Sequence, residues 1–192
     1  MKVRIKISRQ KIIFLVSVLL AILLVIKIYP YIPFPIYSIN YLGTKMSFRT
    51  NLRDAKNIPV YPSEELVYRE IMNQLVENIT IVFKPGEGEV NAHYALETFE
   101  VVNKLAIAYK KRFGYMPNFN VINITNYENL PGKIQNPIIA LVHPIYSNET
   151  SVKLDYHVIY IQGKNATSSR EQLRNFDLAV AKFLMAALDI KI

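Results

Sequence analysis

The feature that most limits what this chain can become is the stretch Ile12–Ile26, IIFLVSVLLAILLVI, an apolar run with one serine and no charge. Continued through Lys27, Ile28 and Tyr29 to the helix-breaking Pro30, it makes a helix over residues 12–29. At about 1.5 Å per residue such a helix is roughly 27 Å long, which crosses a bilayer core once Lys27 snorkels to the interface. Lys2, Arg4, Lys6, Arg9 and Lys11 precede it with no acidic residue among them. By the positive-inside rule this basic tail, residues 1–11, stays in the cytoplasm, and Tyr29, Tyr31 and Phe34 suit the opposite interface. The expected topology is single-pass in the plasma membrane, N-terminus inside and C-terminus outside. A cleaved leader would share the basic start and apolar middle but end in a small-x-small site. The residues that follow here, KIYPYIPFPIY, are bulky and aromatic, so the segment reads as an uncleaved signal-anchor. Pro30, Pro33 and Pro35 restrict the backbone and predict an extended stalk over residues 30–43.

That placement changes the meaning of the charge. The chain carries +8, a balance that would suggest nucleic acid as a partner. Six of the basic residues lie within residues 1–27, leaving 17 basic against 15 acidic residues in the remainder. Phosphate-backbone affinity needs clustered Lys and Arg, so no nucleic-acid partner is expected. Membrane lipid is the partner expected for the N-terminal helix. The sequence has no cysteine, which excludes disulfides, thiolate nucleophiles and Cys-ligated zinc.

Residues 44–192 form one expected domain outside the membrane, with no repeat and no Gly/Ser linker. Lys45–Thr50 alternates as a first strand. Ser63 reads as an N-cap for a helix to about Val76, with Leu66, Ile71 and Leu75 facing inward. Ile79–Phe83 reads as a buried strand closed by Lys84-Pro85-Gly86. The next helix has Ala95, Phe99, Val102, Ala106, Tyr109 and Phe113 at spacings of three and four as its expected core stripe, with Gly114 ending it. Strands follow at Phe119–Thr125, Pro137–Val142 and Val152–Gln162, the last as one continuous strand. Ser168 and Glu171 have the spacing of a capping box for a final helix, whose inward stripe is Leu173, Phe176, Val180, Phe183, Leu184 and Ala187. Strands interleaved with helices predict an α/β fold, a mixed-sheet sandwich, with α+β as the alternative. The closing strand, Gly163, loop and helix resemble pieces of archaeal cell-surface domains over about 35 residues, a generic pattern that implies no particular activity.

The chemistry-bearing residues are few. No HExxH, GxSxG, GxGxxG or P-loop pattern occurs, and no cofactor is implied. Lys84-Pro-Gly-Glu-Gly-Glu89 has a phosphate loop's glycines, but Glu87 and Glu89 would repel an anion, so it reads as a solvated turn. Asp177 is expected to pair with Arg174 or Lys182. The catalytic candidates are His143, before Pro144 at a strand end, and His157 with Asp155, two positions apart on one expected strand face about 7 Å from each other. Four Asn-x-Thr sequons start at Asn78, Asn123, Asn148 and Asn165. The 16 asparagines, with Ser or Thr at about one position in twelve, put chance at roughly one to two such triplets. The excess points to glycosylation outside the membrane, with Asn148 and Asn165 in loops favoured and Asn123 disfavoured as a mid-strand position.

The leading expectation is a non-catalytic, membrane-tethered domain that binds a protein or envelope component. The first alternative is a hydrolase or metal-dependent enzyme built from His143, His157 and Asp155, which requires those side chains to converge. The second is an accessory subunit of a membrane complex held through the anchor.

Overall fold

The computed structural model describes residues 37–192. The expected tail, the anchor and residues 30–36 of the expected stalk lie outside the described residues. No helix among the described residues is long and apolar enough to cross a membrane.

The described chain opens with a hairpin, β1 (Tyr37–Tyr41) and β2 (Thr44–Phe48), turned by Leu42 and Gly43 at φ 46 and 78. Positive φ at both turn positions matches the twist that two-residue hairpins need. Thus β1 lies inside the segment expected as a stalk, because its pairing with β2 depends on a turn that residues 30–43 alone do not announce. The hairpin buries Tyr41, Met46 and Phe48 in the core.

A short helix α1 (Leu52–Ala55) and a two-residue strand β3 (Val60–Tyr61) lead to α2 (Glu64–Ile71). Ser63 caps α2 as expected, its Oγ accepting from the Leu66 N–H at 3.3 Å. The buried residues of α2 are Val67 and Ile71, whereas Leu66 and Leu75 are exposed. The helix ends at Ile71, so the helical spacing that would carry Leu75 inward stops short of it.

Six strands make one mixed sheet, ordered β3-β7-β8-β6-β4-β5. Strands β4 (Asn78–Phe83), β5 (Asn118–Asn123), β6 (Ile138–Val142) and β8 (Val158–Gln162) run parallel, while β7 (Ser151–Asp155) and β3 run against them. The continuous strand expected over Val152–Gln162 is therefore corrected to a hairpin, with Tyr156 at φ 49 in its turn and Asp155 paired to Val158. The turn shifts parity: Val152 and Leu154 lie opposite Ile161 and Ile159 and share their face. This explains why the second half read as apolar on both sides.

Among the described residues the long helices stand on one face. Ile79, Ile81, Ile139, Leu141, Ile159 and Ile161 share a single core with α2, α3 (Glu89–Phe113) and α4 (Ser169–Leu188). On the other face Val82, Ile138, Ala140 and Val158 are covered by Ile124, Tyr127 and Leu130 of the β5–β6 connection. That connection is pinned at Gly132, where a Cβ would come within 2.5 Å of the His157 carbonyl oxygen.

Two helix faces differ from expectation. On α3 the buried residues include Tyr94, Glu97, Val101, Lys104, Leu105 and Ala108, while Phe99 of the expected stripe is 69% exposed. The true inner stripe contains charges, which dilute its hydrophobicity below that of the neighbouring stripe. Those charges are paired inside: Arg49 meets Glu97 at 3.2 Å and Asp177 at 2.6 Å, and Lys104 meets Glu100 at 3.2 Å. Asp177 thus pairs with neither Arg174 nor Lys182. Lys182 instead donates to the Lys56 carbonyl and to Glu64. Helix α4, capped by Ser168 as expected, is buried at every position from Ala179 to Leu188, since it packs against the sheet and the other three helices at once.

Candidate functional site

The chain leaves β4 towards β5 and leaves β6 towards β8, so the C-terminal ends of β4 and β6 form the switch point of the parallel strands, where α/β folds place their sites. His143 directly follows β6, Lys84 directly follows β4, and the second turn of α3 and the first residue of α4 bring His93, Tyr94 and Ser169 to the same end. His93 Nδ1 lies 2.8 Å from His143 Nε2, with the rings stacked at 5.1 Å. Both side chains are buried.

The partners assign nearly every proton. The Ile145 N–H points at His143 Nδ1 at 3.3 Å, so that nitrogen is the acceptor and His143 carries its proton on Nε2. Nε2–H then donates to His93 Nδ1, which leaves the His93 proton on Nε2, 3.4 Å from Ser169 Oγ. Beside this chain the Tyr127 hydroxyl donates to the Leu141 carbonyl at 2.7 Å and accepts from the Lys84 N–H. Tyr94 therefore donates to Tyr127 at 3.1 Å and accepts from the His143 N–H at 3.2 Å. Burial pushes the His143 pKa down to about 4, with the neighbouring His93 adding to the effect, and burial also lowers His93. Burial raises both tyrosines.

Ser169, His93 and His143 have the order of a nucleophile, a base and an orienting group, yet the tautomers run the wrong way. A base must offer Ser169 a lone pair on His93 Nε2. Moving that proton to Nδ1 requires His143 to move its own to Nδ1, where it would face the Ile145 N–H. The network is set to hold the ends of two strands and two helices together.

The expected convergence of His143, His157 and Asp155 is corrected. His157 lies in the turn before β8, and β8 runs parallel to β6, so His143 and His157 sit at opposite ends of the sheet, separated by a five-residue strand of roughly 16 Å. His157 Nδ1 instead meets Glu70 Oε1 at 2.9 Å, and Asp155 is exposed on the arm opposite Val158. No group of three His, Asp or Glu side chains among the described residues is arranged to hold a metal ion. His93 carried no sequence signal, because its partner is 50 residues away.

A different feature has the form of a binding site. The outer flank of α3, with Ala95, Phe99 and Val102, and the edge strand β5, with Val121 and Asn123, enclose a groove of about 560 Å³ floored by Phe83. Among the described residues no ionisable side chain lines it. Among the described residues β5 pairs only with β4, which leaves the backbone donors and acceptors of its outer edge without a strand partner there. Register puts Phe119, Val121 and Asn123 on the helix side with Ile79, Ile81 and Phe83. The stripe that the sequence marked as core on α3 is, over Ala95–Val102, the wall of this groove.

The four sequons divide by environment. Asn78 is half-buried and accepts from Asn118, and its Thr80 hydroxyl is buried against Asn136. Asn148 is exposed, while the hydroxyl of its Thr150 accepts from the Lys164 N–H. Asn165 with Thr167, and Asn123 with Thr125, are exposed at both positions. The inaccessibility expected for Asn123 is thus corrected: its strand lies at the sheet's edge.

No protein-family model, curated protein or solved structure matches this chain.

Proposed function

We propose that this protein is a single-pass membrane protein with residues 1–11 inside, a spanning helix over 12–29 and an α/β sandwich domain outside, and that the domain is a non-catalytic binding module. Its ligand is an uncharged, extended segment of a partner protein, laid as an added strand along β5. The observation that carries this reading is the uncharged groove of about 560 Å³ beside a free strand edge. Main-chain bonds to β5 would supply affinity, and alternate side chains of the added strand would enter the groove against Phe99 and Val121. The absence of ionisable lining selects a segment without charge, since a charged side chain there would lose its hydration without a partner. The hydrolase reading loses support because its three residues do not converge and the buried imidazole chain presents a donor to Ser169.

A photoreactive residue at position 121 of the full chain in its native membrane tests this. The expected product joins that position to one uncharged segment of a single partner, and Phe99→Asp lowers the yield about tenfold, equivalent to about 1.4 kcal/mol. A product indifferent to Phe99→Asp, or one formed with lipid alone, would overturn the reading. Protease added to intact cells is expected to reach residues 37–192; complete protection would reverse the topology.

A further inference from the structure

Resting on the reading above, we infer that Asn123 is an N-glycosylation site and that the sugar on it closes the β5 edge to the partner strand. Three features coincide at this residue. It begins the sequon Asn123-Ile124-Thr125 and is exposed together with the threonine. It is the last residue of an edge strand, with its side chain on the helix side of the sheet beside Phe83. It also lines the groove that holds Phe99. Asn165 shares the first feature but lies before α4, held by Ala166 and Gln172, away from any strand edge. Asn78 shares only the triplet, since a glycan there would displace its contact with Asn118 and its threonine is already engaged.

The chemistry requires a glycosyl donor whose anomeric carbon bears a phosphate leaving group. The Asn123 Nδ2 forms the bond to that carbon, the carbon–oxygen bond to phosphate breaks with its electron pair leaving on the phosphate, and one amide proton passes to a base. Once attached, the first sugar stands within the groove, where its apolar ring face can lie on Phe99. An added strand must send alternate side chains into the groove that Asn123 lines, and a bulky hydrated group on Asn123 occupies that space. Edge strands left bare invite unwanted pairing, so a removable or partial cap serves the fold as well as the binding.

The test uses the same position-121 cross-linking, with mass analysis of the peptide that contains Asn123 in cross-linked and free chains from the native membrane. The expected result is a hexose-type mass increment on Asn123 in the free fraction, none in the cross-linked fraction, and a several-fold higher cross-linking yield for Asn123→Gln. An unmodified Asn123 in both fractions would overturn the inference while leaving strand docking intact. A sugar present equally in both fractions would overturn the closure. A sugar on Asn123 with no cross-link in either the wild type or Asn123→Gln would remove strand docking itself, and the closure with it.

Discussion

Arg49→Ala is expected to lower the stability of the domain by about 3–5 kcal/mol, the cost of stripping the partner from buried charges. Arg49 directly follows β2 and sends its guanidinium, 9% exposed, between Glu97 on α3 and Asp177 on α4. Lys104 and Glu100 neutralise each other alongside, so Arg49 alone faces two carboxyls. Burial pushes Glu97 well above the usual carboxylate range, with Asp177 adding to the effect, and burial raises Asp177 as well. The two carboxyls share one guanidinium, which lies 2.6 Å from Asp177 and 3.2 Å from Glu97. Removing Arg49 leaves an uncompensated carboxylate in the core and frees the hairpin that carries Met46 and Phe48. Urea unfolding of the detergent-solubilised chain reads the loss. Glu97→Gln, which removes one of the two carboxyls that Arg49 faces and keeps the side chain's shape, is expected to cost much less than Arg49→Ala, and Arg49→Met combined with Asp177→Asn should recover most of the stability. A loss below about 1 kcal/mol for Arg49→Ala would show that the carboxyls are solvated, since exposed pairs contribute no more than that.

The second large effect is acid sensitivity from the imidazole pair. His143 is neutral in the fold with its pKa pushed down to about 4, whereas in the unfolded chain it titrates near 6.5. Between those values the unfolded state binds the proton that the folded state refuses. The stability from this group is therefore complete above pH 6.5 and is lost as the pH falls towards 4, by about 3 kcal/mol across the window. Protonation of His143 also puts a second proton on Nδ1, where it faces the Ile145 N–H at 3.3 Å as two opposed donors. His143→Gln lowers stability at every pH but is expected to flatten the slope between pH 6.5 and 4. The difference between the two profiles isolates this residue from the carboxyls that titrate nearby. Parallel slopes for wild type and variant would refute the assignment.

Some of this was legible in the sequence because it is local. Ser63, Ser168 and Gly114 cap helices through bonds that span three or four residues, and Ile79–Phe83 is β-branched and apolar enough to be a strand in any register. The long helix after Glu89 and the final helix follow from periodicity alone. What failed did so where one local pattern fits two arrangements. Val152–Gln162 alternates whether or not it turns at Tyr156, and α3 offers two stripes, of which the more apolar lines the groove and the charged one faces the core.

The candidate sites needed more than pattern. His143 stood out for its place before Pro144, but His93, Arg49 and the exposed edge of β5 become meaningful only through partners tens of residues away. The amino-acid sequence by itself determined most of the elements, the caps at Ser63, Ser168 and Gly114, and the concentration of charge before the apolar run, because each depends on neighbours within a turn or on simple hydropathy. Tertiary structure decided which helix face is buried, which imidazoles touch and which strand lies at the edge, because those depend on how the sheet is ordered, and strand order brings together residues that no local spacing relates.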